Sequence, residues 1–110
     1  EADESLGFSI SNLILNGPKE DLDLTENTQP AKFLLSYSIF RLAKEEFNID
    51  LDKASFYAGH SLGEYSALAS AGSLSFSETL KILKKVKTII KWKTYSYLEQ
   101  VTVRTPLINN

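Results

Sequence analysis

Residues 59 to 63 read Gly-His-Ser-Leu-Gly, so Ser61 stands between two glycines, each two positions away, and directly follows a histidine. A serine hydroxyl is a weak nucleophile until something takes its proton or stabilises the charge it creates on a carbonyl. The Gly-x-Ser-x-Gly spacing suits a corner that does the second job. A sharp strand-to-helix turn holds the hydroxyl outward, and the unpaired amides of the new helix face the developing oxyanion. The backbone N–H of Leu62 is the natural donor. Gly59 and Gly63 are expected because a β-carbon at either position collides with the neighbouring strand or helix, while Ser61 itself is expected in a strained conformation with Oγ exposed. His60 is the only histidine of the chain. Adjacent residues in such a corner project differently, so a supporting hydrogen-bond role is read for its ring, with general base as the alternative. Glu64 suits a first helical turn for dipole reasons alone, and Tyr65 reads as packing. With no second histidine to serve as base, these 110 residues do not carry a complete serine-based catalytic apparatus.

The elements that must position the serine follow from hydrophobic spacing. Residues 54 to 58 are short, apolar and aromatic, and predict a buried strand leading into the corner. A helix from 62 to about 71 follows, stopped by Gly72. Ser75 and Glu78 form a capping-box pattern that opens another helix, with Phe76, Leu80, Leu83, Val86 and Ile90 as its apolar row. Upstream, Pro30 opens a long helix with two apolar rows, Phe33, Tyr37, Phe40 and Leu35, Ile39, Leu42. So wide a stripe predicts packing against a sheet, with Lys44, Glu45 and Glu46 turned to water. Residues 5 to 17 read as one weakly amphipathic helix ended by Gly17-Pro18, and 18 to 29 as a short helix and loop. After Lys93 the pattern fades, and Val101 and Val103 leave a strand or a frayed tail as the alternatives.

Composition narrows the function classes. The apolar fraction of 43% and charged fraction of 24% are those of a globular domain, and no apolar run reaches the roughly 20 residues of a membrane span. Zero cysteines exclude a disulfide framework and a thiolate nucleophile within the chain. Net charge is −2 overall but uneven: residues 1–52 hold eleven acids and four bases, residues 53–110 eight bases and three acids. Lys81, Lys84, Lys85, Lys87, Lys91 and Lys93 cluster. They read as a solvated helix face, the alternative being a patch for an acidic partner. No aromatic-interleaved nucleic-acid motif accompanies them. Beginning at Glu1 and lacking methionine, the sequence reads as a processed or truncated piece.

The stretch "GPKEDLDLTENTQPAKF", followed by "AGHSLGEYSALASAGSLSFSETLKIL", resembles the malonyl-CoA:acyl carrier protein transacylases of fatty acid synthesis and the related acyltransferase domains of polyketide synthases. The likeness covers about residues 5 to 85. It implies an α/β fold, with residues 1–85 as part of a large α/β-hydrolase-like subdomain, mostly helices around a strand, elbow and helix. Residues 86–110 are set apart as a divergent tail, through natural divergence or a reading-frame error. The implied activity moves a malonyl group from coenzyme A onto Ser61 and then to the phosphopantetheine thiol of acyl carrier protein. Leu62 supplies an oxyanion amide, His60, Gly59 and Gly63 support, malonyl-CoA is the substrate, and no cofactor, metal, nucleic acid or membrane is involved. A cytoplasmic or organellar location is implied. The family's catalytic histidine lies beyond the last residue, its glutamine loop ahead of the first, and Val86 stands where its carboxylate-binding arginine is expected. A serine esterase or lipase, and a non-catalytic domain that binds acyl carrier protein through its lysines, are the alternative readings.

Overall fold

The computed structural model describes residues 1–85 and, as backbone, 100–104. The expectations for Val86, Ile90 and the lysines at 87, 91 and 93 lie outside the described residues. Four helices precede the first strand: α1 (Ala2–Leu6), α2 (Ile10–Asn16), α3 (Lys19–Leu22) and α4 (Thr25–Glu45). A 3-10 turn (Leu51–Lys53) leads to β1 (Phe56–His60), then α5 (Leu62–Ser70), α6 (Phe76–Lys85) and β2 (Gln100–Arg104). The architecture is α/β but mostly helical, and β1 pairs antiparallel with β2, Phe56 opposite Arg104 and His60 opposite Gln100. The strand alternative for the tail is the one found over 100–104.

Two helices stand where one was expected over residues 5–17. Gly7 at φ 75° ends α1 in the left-handed conformation, its amide donating to the Asp3 carbonyl. The Asp3 carboxylate then accepts from the Ser11 amide at 2.9 Å and the Ser11 hydroxyl at 2.6 Å, so it receives the first turn of α2. Those hydrogen bonds from Ser11 hold its pKa below the ordinary carboxylate value.

The long helix starts at Thr25, not at Pro30, which lies buried in its second turn. Pro30 forgoes one amide hydrogen bond there, and it is buried along with Ala31 and Phe33. The stripe of α4 is only half used. Phe33, Tyr37 and Phe76 stack with centroids 5.0 to 5.8 Å apart, and Phe33 is buried with Ala69, Leu80 and Leu83. This row meets α5 and α6 rather than a broad sheet, and reaches β1 where Phe40 meets Tyr57 edge-on at 6.0 Å. Leu35, Ile39 and Leu42, the second row, are 62%, 57% and 49% exposed. Glu45 and Glu46 face water as expected. Lys44 does not: it is half-buried over the Phe40 ring and bonds Asp52 at 3.0 Å.

Helix α6 begins at the expected box. Ser75 Oγ accepts from the Glu78 amide at 3.1 Å and donates to its carboxylate at 2.9 Å. Its Leu80 and Leu83 are fully buried, and α1 lies on it through the Ser5–Ser77 hydroxyl contact at 2.9 Å.

Candidate active site

The strand that feeds the corner runs from Phe56 to His60, two residues later than expected, because the 3-10 turn takes up the chain before it. It is also not buried. Exposure alternates along it, with Tyr57 and Gly59 turned inward and Phe56, Ala58 and His60 outward. Tyr57 fixes its height: the ring rests on Phe40 and the hydroxyl donates to the Leu51 carbonyl at 2.8 Å. Burial is the first cause raising the Tyr57 pKa above its ordinary value.

At the end of β1 the backbone turns in one residue. Ser61 has φ 56° and ψ −118°, a conformation that costs a non-glycine residue about 1–3 kcal/mol. It is the N-cap of α5, its side chain makes no capping bond, and the residue is exposed. Its carbonyl accepts from the Glu64 amide at 3.0 Å, while the amides of Leu62 and Gly63 fall in the first turn, where a helix offers no acceptor. The Leu62 side chain packs against the Phe33, Ala69, Leu80 and Leu83 cluster. Core packing thus fixes the amide beside the hydroxyl.

The crowding expected at both glycines is one-sided. A β-carbon on Gly59 comes within 1.9 Å of the Gly63 carbonyl oxygen and 2.6 Å of the Glu64 nitrogen, whereas one on Gly63 meets no atom within 4 Å. Strand and helix touch at this point, and only the strand glycine points its missing side chain into the contact. His60 lies on the outward face of β1, opposite Tyr57 and Gly59. Glu64 lies in the first turn of α5, as expected, and is buried there. Tyr65 packs against the core cluster, as read.

The lysine run is not uniformly solvated. Lys81 and Lys85 are exposed, but Lys84 sits 4.3 Å over the Phe8 ring and donates to Asn27 Oδ1 at 2.7 Å. Buried Asn27, in the first turn of α4, donates in turn to the Asp21 carbonyl at 2.8 Å, so one amide side chain links α6, α4 and α3. These groups, with Glu26, border a crevice of about 350 Å³. A second crevice of about 420 Å³ runs between α1 and α4, edged by Asp3, Tyr37 and Arg41. Neither is lined by Ser61. Among the described residues no cluster of His, Asp or Glu could hold a metal ion, and no helix is long and apolar enough to cross a membrane.

The profile of the acyl transferase domain matches residues 2–92. The chain belongs to the acyl transferase domain family. Within it, the malonyl CoA-acyl carrier protein transacylase of Bacillus subtilis strain 168 is 47% identical over 85 residues, 77% of this chain and 26% of that protein. The backbone superposes on an acyl carrier protein S-malonyltransferase crystal structure from Vibrio cholerae with TM-score 0.71 and 34% identity, covering 82% of this chain and 28% of that one. A type II polyketide synthase acyl-carrier protein in complex with its malonyl-transacylase matches with TM-score 0.71 and 37% identity, over 83% of this chain and 28% of that one. The chain therefore spans about a quarter of the length of its acyl transferase relatives.

Proposed function

We propose that these residues are the nucleophile-bearing part of a malonyl-CoA:acyl carrier protein transacylase, within a large α/β-hydrolase-like subdomain, acting in the cytoplasm or an organelle. The observation that carries the reading is Ser61 at positive φ between β1 and α5, exposed, beside first-turn amides. Ser61 Oγ attacks the malonyl thioester carbonyl, a C–O bond forms, and the carbonyl oxygen gains negative charge that the Leu62 N–H and the positive end of α5 stabilise. The C–S bond then breaks and coenzyme A leaves as a thiol. The phosphopantetheine thiol of acyl carrier protein attacks the resulting ester, a new thioester forms, and the serine hydroxyl is restored. Gly59 and Gly63 shape the corner and His60 supports it from the strand. The proton-accepting histidine comes from sequence beyond these 110 residues, since His60 points away from the helix side. Exposed Lys81 and Lys85 suit the acidic carrier as partner.

The test replaces the matching 85 residues of the Bacillus subtilis relative with residues 1–85 of this chain. The chimera is expected to move malonyl from coenzyme A to acyl carrier protein and to form a malonyl ester detectable by intact mass. Ser61→Ala is expected to abolish both. A chimera that releases free malonate without loading the carrier points to the esterase reading, and one that labels equally with alanine at 61 removes the serine from the mechanism.

A further inference from the structure

A serine at φ 56° keeps that conformation only where the chain on both sides of it is fixed. On the helix side, the Leu62 side chain is packed against the cluster of Phe33, Ala69, Leu80 and Leu83. On the strand side, pairing with β2 fixes β1 within the sheet, and the inward face of β1 must fix its height over the helices. Only Tyr57 and Gly59 point inward along β1, and a glycine has no side chain to anchor. Tyr57 is therefore the side chain through which this strand is held to the core.

The contacts of Tyr57 close a circuit through three elements. Its ring meets Phe40 of α4 edge-on at 6.0 Å, and its hydroxyl donates to the Leu51 carbonyl at 2.8 Å. Lys44, one turn beyond Phe40, lies 5.4 Å from the centroid of that ring and donates to Asp52 Oδ1 at 3.0 Å, so the turn that carries Leu51 is itself tied to α4. Phe40 continues through Tyr37 to Phe33, with centroids 5.9 and 5.8 Å apart. Both arms of the corner thus end on Phe33. Between them there is no slack: a β-carbon on Gly59 has no room beside the Gly63 carbonyl, so a tilt of β1 passes directly to the first turn of α5.

We propose that Tyr57 is a positioning residue for Ser61: its hydroxyl on the Leu51 carbonyl and its ring on Phe40 set the height of β1, and so hold Oγ beside the Leu62 amide. Its effect on the rate of acyl capture rests on the transacylase reading, whereas its hold on the Ser61 backbone does not. The Leu51 carbonyl also accepts from the Ala54 amide at 3.1 Å. Tyr57→Phe therefore keeps the ring on Phe40, leaves that acceptor paired and removes only the anchoring bond.

Two readouts test this. In the full 110-residue chain, Tyr57→Phe is expected to move the NMR resonances of Ser61 and Leu62 and the Ser61 coupling that reports φ; unchanged signals overturn the proposal. In the chimera carrying residues 1–85, single-turnover mixing with malonyl-CoA is expected to show the rate constant for malonyl-ester formation falling about tenfold to a hundredfold, with its dependence on malonyl-CoA concentration unchanged. Asn27→Ala, which cuts the Lys84 and Asp21 links away from the corner, is the control: it is expected to lower Tm more than Tyr57→Phe while leaving the rate constant and the Ser61 signals in place. A rate constant insensitive to Tyr57→Phe, or lowered equally by Asn27→Ala, overturns the positioning role, because a general loss of stability then accounts for the effect. An unsubstituted chimera that forms no ester removes the transacylase reading, and the Ser61 signals alone then decide whether Tyr57 holds the corner.

Discussion

At the residue scale, the corner is held by one steric contact and one strained dihedral. Gly59→Ala drives a β-carbon against the Gly63 carbonyl at 1.9 Å. Backbone must shift, and a loss of about 3 kcal/mol or more is expected in urea unfolding. Gly63→Ala meets open space and trades a poor helix former for the best, so it is expected to lie between neutral and about 1 kcal/mol stabilising in the same measurement. The contrast between these glycines separates a crowded corner from a merely flexible one. Ser61 carries the strain that only glycine avoids at φ 56°. Ser61→Gly is therefore expected to raise stability by about 1 kcal/mol while removing acyl capture, read by thermal melting and by intact mass after incubation of the chimera with malonyl-CoA.

At the element scale, the link from α6 through Asn27 of α4 to α3 is the contact most open to test. Asn27→Ala removes the acceptor of Lys84 and the donor to the Asp21 carbonyl, both partly buried. A cost of about 2 kcal/mol is expected in chemical denaturation. What was legible in the sequence at this scale was local. The elbow, the start of α5 and the start of α6 are written within four or five residues each, by Gly59, Gly63, Ser75 and Glu78. The start of α4 was missed because its N-cap, Leu24, makes no side-chain capping bond, and Pro30 looks like a first-turn residue. Gly7 was read through rather than as a break, because one glycine in an apolar period does not reveal a left-handed φ. Lys84 passed for a solvated lysine because its partner lies 57 positions away, where periodicity carries no information. Likewise, the pattern of β1 is apolar enough for burial, yet burial needs neighbours, and those are set by topology rather than by the strand's own composition.

At the scale of the whole molecule, surface is the governing quantity. Among the described residues, α4 leaves the row Leu35, Ile39 and Leu42 bare, and the core is a small one centred on Phe33, Leu80 and Leu83. Ion pairs such as Arg41–Glu45 are exposed and add little. The isolated chain is expected to melt broadly and at low temperature; calorimetry showing a sharp, cooperative transition would count against this.

The central packing also has an order in time. Phe33 is covered by Leu80 and Leu83, and Ser5 finds Ser77 across 72 positions. On a ribosome adding roughly 5–20 residues per second, α4 emerges some seconds before the helix that covers it. During synthesis, both faces of α4 are then bare at once, and the nascent chain offers a chaperone a longer and more apolar target than the finished one.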